Sequence, residues 1–553
     1  MTFDFSQHDD KLLFVPLGGS NEIGMNLNLY RYKGKWLMID LGIGFADDYL
    51  PGVDIIMPNV DMIAEYKDDL LGLVLTHAHE DHLGAVGYLW EELECPVYAT
   101  PFTAAVLKPK LAEEGLQGKV KVHEVKAGER YNLGPFELDM VPLTHSIPEM
   151  HAVAVRTDKG VVMHTGDWKL DHDPMVGPTS DEAALKRYGD EGVLAMVCDS
   201  TNVMVEGESG SESHVRQHLN DVIAGCESRV VVTTFASNIA RLESIIYAAR
   251  DAGRQIALAG KSLWRITEAA RQSGYLQDVP EFLTDKQAMD VAKHEILIIA
   301  TGCQGESRAA LTKVAREEHP GIRLSPGDTV VFSSRTIPGN ETKINWLQNK
   351  LIAQGLEVIG DQDVMIHVSG HPCRGELERM YQLVRPKISV PVHGESRHIH
   401  EHAKLAKELQ VPEAVEATNG AVIHLEPGNA GIIGHTEWGY LAMDGKTIID
   451  TDNIVIRTRR KIRDDGACVV SIVMDKKGKV KALPQISAPG CMDPREDAEI
   501  IHDIAQDVQR TAERYGVGAK GNQLDERLRA VMRKHFRNML GKKPVIDIQV
   551  YRI

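Results

Sequence analysis

The 553-residue sequence holds no uninterrupted apolar run long enough to span a bilayer as a helix, so a helical membrane protein is excluded. Its opening residues, Met1-Thr2-Phe3-Asp4-Phe5, lack the basic stretch and apolar segment of a secretory leader, and a cytoplasmic location is expected. Cysteine is scarce: Cys95, Cys198, Cys226, Cys303, Cys373, Cys468 and Cys491 stand apart with no C-x-x-C pair. That excludes a disulfide framework and fits a reducing compartment. Positive charge is also short. A formal net charge of −17 argues against coating nucleic acid through a generally basic surface, though a local cationic channel stays open to it. Tandem repeats and low-complexity tracts are missing. What remains, 43% hydrophobic and 25% charged residues, is the composition of a globular protein, at a length that calls for two or three domains.

Against that background six residues stand out: His77-Ala78-His79-Glu80-Asp81-His82, directly after the apolar strand Leu71-Gly72-Leu73-Val74-Leu75. Imidazole nitrogen and carboxylate oxygen are ligand types for Zn²⁺ and similar borderline metals. Four of them on one short loop exceed what a single ion takes from one turn, so a two-metal site is expected. Further ligands must then arrive from elsewhere, and three candidates each follow an apolar run that reads as a buried strand. Residues 138–143 lead to Thr144-His145-Ser146. Residues 161–163 lead through His164-Thr165-Gly166 to Asp167, and 388–392 lead to His393-Gly394-Glu395. Ligands at strand ends gather along one edge of a sheet, where rigid elements fix their geometry.

Other blocks share this order along the chain: Gly18-Gly19-Ser20-Asn21-Glu22-Ile23-Gly24, Gly52-Val53-Asp54, Asp199-Ser200-Thr201-Asn202 and Thr233-Thr234-Phe235-Ala236-Ser237-Asn238. They continue with Thr301-Gly302-Cys303-Gln304-Gly305-Glu306, Ile337-Pro338-Gly339-Asn340-Glu341 and His367-Val368-Ser369-Gly370-His371. Together these blocks resemble the metallo-β-lactamase superfamily and, within it, the β-CASP nucleases of the ribonuclease J family. The resemblance covers nearly the whole chain. It implies an α/β fold: a metallo-β-lactamase αββα sandwich with an inserted β-CASP α/β domain and a small C-terminal α+β domain. It also implies a metal-dependent ribonuclease with 5′→3′ exonuclease and endonuclease activity, preferring 5′-monophosphate ends, in mRNA decay and rRNA maturation.

Carried over position by position, the resemblance gives one metal to His77, His79 and His145. It gives the second to Asp81, His82 and His393, with Asp167 bridging both. Two Zn ions per subunit are expected, with Mn as the alternative. Such a pair lowers the pKa of a water between the ions, making it an in-line nucleophile on a phosphodiester. The expected catalytic residues are Asp81, His371 as general acid toward the leaving 3′ oxygen, and Asp199 as the carboxylate that orients it. The phosphate pocket is expected from His367, Val368, Ser369, Gly370 and His371, with Ser237 and Asn238 added from the inserted domain; adjacent backbone N–H groups there make an anion nest. Glu395 is the one outer-shell candidate, and His151 and His164 read as structural.

The texture of the sequence sets domain boundaries. Residues 1–208 form the first part of the metallo-β-lactamase domain, rich in short apolar runs. From 209 to 372 helices alternate with short strands, which reads as an inserted parallel-sheet domain. Residues 373–438 return to the first domain, because His393 must reach the same site. The turn-rich 439–466, with Arg457, Arg459, Arg460, Lys461 and Arg463, reads as a linker before an α+β domain at 467–553. Arg527, Arg529, Arg533, Lys534 and Arg537, with Lys542 and Lys543 beyond, read either as an RNA or partner contact or as a solvated helix face. Single-stranded RNA with a 5′ monophosphate is the expected ligand, with a homodimer or homotetramer, an RNA-degradation complex and no membrane contact as further expectations. Three other functions compete: a non-catalytic scaffold subunit, a DNA-acting β-CASP nuclease, and a hydrolase of small esters or thioesters, which has no need of the insertion.

Overall fold

A computed structural model describes residues 3–516 and 523–553. The chain forms two compact units, one of residues 1–44 with 57–439 and one of 45–56 with 440–553.

The first unit is built on two facing sheets. An eight-stranded sheet includes the neighbours Leu27–Tyr32, Lys35–Ile39, Leu70–Val74 and Val97–Ala99; a seven-stranded sheet includes Phe136–Pro142, His151–Thr157, Gly160–His164, Val193–Asp199 and Ile388–Val392. Between them lies one apolar core, drawing Phe14, Leu37, Ile39 and Val74 from the first sheet and Leu138, Val153, Val162, Val197 and Val390 from the second. The second sheet is covered on its outer face by the helices Glu182–Glu191, Arg374–Val384 and Ser396–Glu408, through Leu185, Tyr188, Leu377, Met380 and Leu405. Val193–Asp199 and Ile388–Val392 are buried at every position, as parallel strands covered on both faces must be.

The chain leaves this sandwich after Asp199 and returns with the helix Arg374–Val384, so that Val193–Asp199 and Ile388–Val392 are direct parallel neighbours. What intervenes is a six-stranded, all-parallel sheet in the order Leu283–Thr284, Gln255–Ala259, Ile296–Ala300, Val230–Thr233, Thr329–Phe332, Glu357–Ile359. It has its own core, with Val231, Ile298, Val330, Leu311, Leu347 and Leu351. The α/β sandwich with an inserted α/β domain is therefore as the sequence implied. The consequence for function is topological. Gly160–His164, Val193–Asp199 and Ile388–Val392 run parallel, so Asp167, Asp199 and His393 leave the same edge of one sheet.

The second unit contains two small sheets. Ala467–Met474 pairs in parallel with Val545–Arg552 and antiparallel with Gln485–Ser487. Its strict alternation of buried and half-exposed residues marks a sheet with one covered face. The cover is the helix pair Ala498–Tyr515 and Gln523–Leu540, through Ile504, Val508, Leu528, Met532 and Phe536.

Residues 439–466, expected as a linker, are folded. Tyr440–Asp444 and Thr447–Asp450 form a hairpin, and Ile454–Asp465 is a helix carrying the basic cluster. The hairpin turns at Gly445-Lys446, with Gly445 at φ +67°, and glycine suits the first position of a tight two-residue turn that needs positive φ there. Its sheet is completed by Gly44–Phe45 and Ile55–Pro58, strands about 400 residues away in sequence. Polar composition hid the segment because its partners are not local. The stretch 45–56 accordingly belongs to this unit, not to the first domain to which the sequence assigned it. No helix among the described residues is long and apolar enough to cross a membrane.

Candidate active site

The His77–His82 loop follows the strand Leu70–Val74 and is held by backbone bonds to a neighbouring strand end. Leu41 N donates to His82 O, Ile43 N to Glu80 O and Asn26 N to Asp81 O, at 2.7, 2.9 and 2.8 Å. The approach is so close that a Cβ on Gly42 would lie 1.7 Å from Asp81 O, so that position requires glycine. Asp81 and His82 fall on the short helix Glu80–Leu83, and the loop is split between two adjoining sets of ligand atoms.

The first set is His77, His79 and His145. His79 Nδ1 lies 3.0 Å from both His77 Nε2 and His145 Nε2. The outer nitrogens face oxygen. His145 Nδ1 donates to Gly370 O, and His77 Nδ1 lies 3.0 Å from Thr76 Oγ1, whose own proton goes to Asp40 Oδ2. Ser146 Oγ lies 3.5 Å from His79 Nε2. These partners fix tautomers that aim three lone pairs at one point. Burial, then the neighbouring imidazoles, push His77 and His145 well below the usual histidine range; His79 is pushed down to about 4, burial outweighing the attraction of Asp81 and Asp167. All three are neutral and ready to ligate.

The second set is Asp81, His82, Asp167 and His393. His82 Nε2 lies 3.1 Å from Asp167 Oδ2, and His393 Nε2 lies 3.3 Å from Asp81 Oδ2. His82 Nδ1 is held at 2.7 Å by Asp40. Here the charge pattern reverses. Burial opposes ionisation, but Asp167, Asp199 and Asp81 outweigh it and lift His393 to about 10. Asp167 is brought down to about 2 because His393 and His82 outweigh its burial. Asp167 Oδ1 lies 3.1 Å from His393 Nδ1 but out of line for a hydrogen bond, and this buried oxygen accepts none. A buried carboxylate oxygen without a donor, in a set with the imidazoles of His82 and His393, is what a cation-binding site offers. The donor sets fit divalent metal.

Asp199 and His371 adjoin the second set, with His371 Nδ1 2.8 Å from Asp199 Oδ2. The carboxylate is fully buried, whereas the imidazole is 24% exposed. Burial works against the charged imidazole, yet Asp199 and Asp167 raise His371 above the usual range. Gly370 packs so near the first set that a Cβ there would meet His145 Cε1 at 2.7 Å. Ser369 Oγ accepts from Asn202 Nδ2 at 2.8 Å and from His371 N at 3.1 Å, which leaves its own proton to donate. His367 is neutral, lowered by burial and then by Arg241, Arg335 and Lys169, and its buried Nδ1 has no hydrogen-bond partner. Val368 is buried and contributes through its backbone and packing.

The structure thus brings the seven expected ligand residues and the 367–371 loop together. Asn238 is different. Its Oδ1 accepts from Arg241 N at 2.9 Å and its Nδ2 donates to Glu212 Oε1 at 3.4 Å. An asparagine just before a helix, here Ile239–Asp251, is a preferred N-cap, and its side chain is committed to that role rather than to a substrate. Ser237 beside it is half-buried. Glu395 caps the helix Ser396–Glu408 and pairs with Arg397 at 2.9 Å, so it is no ligand support. That support comes from residues the sequence reading missed, Asp40, Thr76 and Thr201, while Asn202 holds Ser369 and the His371 carbonyl. Asp40 had a visible signal, an acid followed by Leu41-Gly42 directly after the apolar strand Lys35–Ile39. His164 bonds Tyr30 and His151 bonds Glu149 O, away from the cluster.

Comparison with known proteins extends this picture. Residues 48–234 match the beta-lactamase superfamily domain, 227–351 the ribonuclease J beta-CASP domain, and 454–553 the ribonuclease J C-terminal domain. Residues 357–416, which contain the 367–371 loop and His393, match the Zn-dependent metallo-hydrolase RNA specificity domain. The chain is 42% identical over 552 residues to ribonuclease J of Sinorhizobium meliloti, covering 99% of this chain and 98% of that one. It is 36% identical over 483 residues to ribonuclease J of Thermus thermophilus, covering 86% and 84%. A solved structure of a protein of unknown function from Enterococcus faecalis shares the fold, at 15% identity and a TM-score of 0.52 over 75% of this chain and all of that one.

Proposed function

Since this chain belongs to the ribonuclease J family of metal-dependent ribonucleases, we propose that it removes nucleotides from 5′-monophosphorylated RNA in the 5′→3′ direction and also cuts internally. The observation that carries this reading is the 367–371 loop, whose Gly370 carbonyl holds a histidine of the first ligand set while Ser369 and His371 face the same cluster. The loop that carries the candidate phosphate-binding residues thus also touches the ligand cluster.

His77, His79 and His145 would hold one divalent ion, and Asp81, His82 and His393 a second, with Asp167 between them. Zinc is the expected species, and manganese is the alternative. When bound, such ions supply Lewis acidity to the phosphodiester and acidify the attacking water. The chain's own groups do the rest. Asp40, Thr76 and the Gly370 carbonyl fix the imidazole tautomers. His371, kept protonated by Asp199, donates a proton to the leaving 3′ oxygen. Ser369 donates its free hydroxyl proton to a phosphate oxygen, and the nearby cations Arg241, Arg335 and Lys169 keep His367 neutral, with Arg241 and Lys169 themselves paired to Glu212 and Asp171. A homodimer or homotetramer in the cytoplasm, acting in RNA decay and maturation, completes the proposal; the seven free thiols suit a reducing compartment.

The test is the length distribution of products from one uniformly labelled RNA bearing a 5′ monophosphate, triphosphate or hydroxyl, with His77→Ala as control. Mononucleotides released fastest from the monophosphate form and absent in the variant are expected. Internal fragments insensitive to the 5′ group would leave only endonuclease activity, and cleavage of DNA at an equal rate would overturn the RNA preference.

A further inference from the structure

We propose that the exposed face of the C-terminal helix Gln523–Leu540 binds the sugar–phosphate backbone of single-stranded RNA without regard to sequence. The proposal rests on RNA being the substrate. On this helix Leu524, Leu528, Met532 and Phe536 form the buried stripe. At 100° per residue, Arg527, Arg533, Lys534 and Arg537 fall within about a third of the circumference, opposite that stripe, and all four are exposed. Among the described residues none of the four takes part in an ion pair. Asp507, a carboxylate on the facing helix Ala498–Tyr515, is occupied by Arg510 and by His535 at 2.9 Å.

The face also carries an aromatic platform. Tyr515 is 39% exposed, and the guanidinium groups of Arg514 and Arg527 each lie 5.3 Å from its ring centroid. Aromatic rings among arginines are the usual means of holding unpaired bases without sequence preference. Helix electrostatics do not explain the pattern. A cation in the last turn complements the helix dipole, which accounts for Arg537, but Arg527 stands near the N-terminal end where a cation is disfavoured.

The charge distribution along the chain points the same way. Residues 467–553 hold 16 Lys+Arg and 11 Asp+Glu, a net charge of +5, whereas residues 1–466 hold 46 and 68, a net of −22. In a protein this acidic, a basic domain with four cations gathered on one helix face is the electrostatic footprint of a polyanion.

The experiment compares the full-length chain with a variant carrying Arg527→Gln, Arg533→Gln, Lys534→Gln and Arg537→Gln, all outside the helix core. Hydrolysis of 5′-monophosphorylated single-stranded RNAs of about 40 and about 5 nucleotides is followed over a range of salt concentrations. On the long RNA the variant is expected to raise KM about tenfold at low salt with kcat unchanged. The slope of log(kcat/KM) against log[salt] should become shallower by about 3, since each phosphate that a cation neutralises on a single strand contributes about 0.7. The short RNA should be unaffected. An unchanged slope would make this a solvated face, and an equal loss on both RNAs would place the defect in the hydrolytic site; either overturns the proposal. Altered sedimentation with an unchanged slope would assign the face to a protein partner instead. Failure of the unsubstituted chain to cut even the short RNA would strike at the ribonuclease reading itself.

Discussion

The two halves of the metal cluster sit on the same loop yet are built on opposite principles. The His77, His79 and His145 side is all imidazole, buried and neutral, with outer partners that are neutral oxygens: Thr76 Oγ1, Ser146 Oγ and Gly370 O. The Asp81, His82, Asp167 and His393 side mixes carboxylate and imidazole, and its outer partners Asp40 and Asp199 are themselves acids. Nitrogen-rich sets favour zinc, while carboxylate-containing sets also accept harder ions such as manganese. The loop and the strand ends that meet it therefore present two ligand sets that differ in donor chemistry and in dependence on surrounding charge. The half that adjoins His371 and Asp199 is also the charged one.

Removing a ligand from either half gives the largest effect. His79→Ala and His393→Ala should each lower RNA hydrolysis by about a thousandfold or more, because neither ion alone supplies both Lewis acidity and the attacking water. Metal analysis should separate them: His79→Ala keeps an ion on the carboxylate side and His393→Ala keeps one on the imidazole side. Loss of both ions from either variant would mean that the halves form a single site.

Changes one layer out should be smaller and fall mainly on one half. Asp40→Asn is expected to weaken metal binding by about 10- to 100-fold on the carboxylate side, where Asp40 holds His82 directly, and less on the imidazole side, which it reaches only through Thr76. Gly370→Ala should weaken the imidazole side, since the added Cβ meets His145 at 2.7 Å. Titration of each variant with zinc and with manganese reads both outcomes, and equal effects on both halves would erase the distinction.

Beneath the carboxylate side, His402 bonds Ser200 Oγ and Tyr381 OH, each at 2.9 Å, and burial pushes it down to about 4. A histidine kept neutral on folding contributes stability that is complete above its unfolded pKa of about 6.5 and is lost as pH falls toward 4. The loss should reach about 3 kcal/mol, read from denaturant midpoints across that range. His402→Gln should flatten the profile over the same window, and an unaltered profile would remove His402 from the account. Smallest of all, Asn238→Ala should cost about 1 kcal/mol of stability through the lost cap and leave KM unchanged, whereas Ser369→Ala should raise KM at unchanged stability.

How much of this was legible in the sequence follows from what is local. The six-residue histidine loop and the strand-end positions of His145, Asp167 and His393 could be read directly, because apolar runs announce buried strands. The inserted parallel sheet was legible for the same reason. Asn238 was misread, since its motif carries no sign of which oxygen or nitrogen the fold will occupy. The 439–466 hairpin was missed because the strands that complete its sheet lie near residues 44 and 58. Asp40 follows an apolar strand and so carried a local signal, but its place beside the cluster follows from the parallel pairing of Lys35–Ile39 with Leu70–Val74.

The most direct test of the central claim is the metal content of the purified chain, measured together with its rate on 5′-monophosphorylated RNA, for the unsubstituted protein and for Asp167→Ala. The account predicts two ions per chain in the active protein, and in the variant a loss of hydrolysis together with loss of at least one ion. Full activity with less than one ion per chain, or an Asp167→Ala variant that keeps both its ions and its rate, would contradict it.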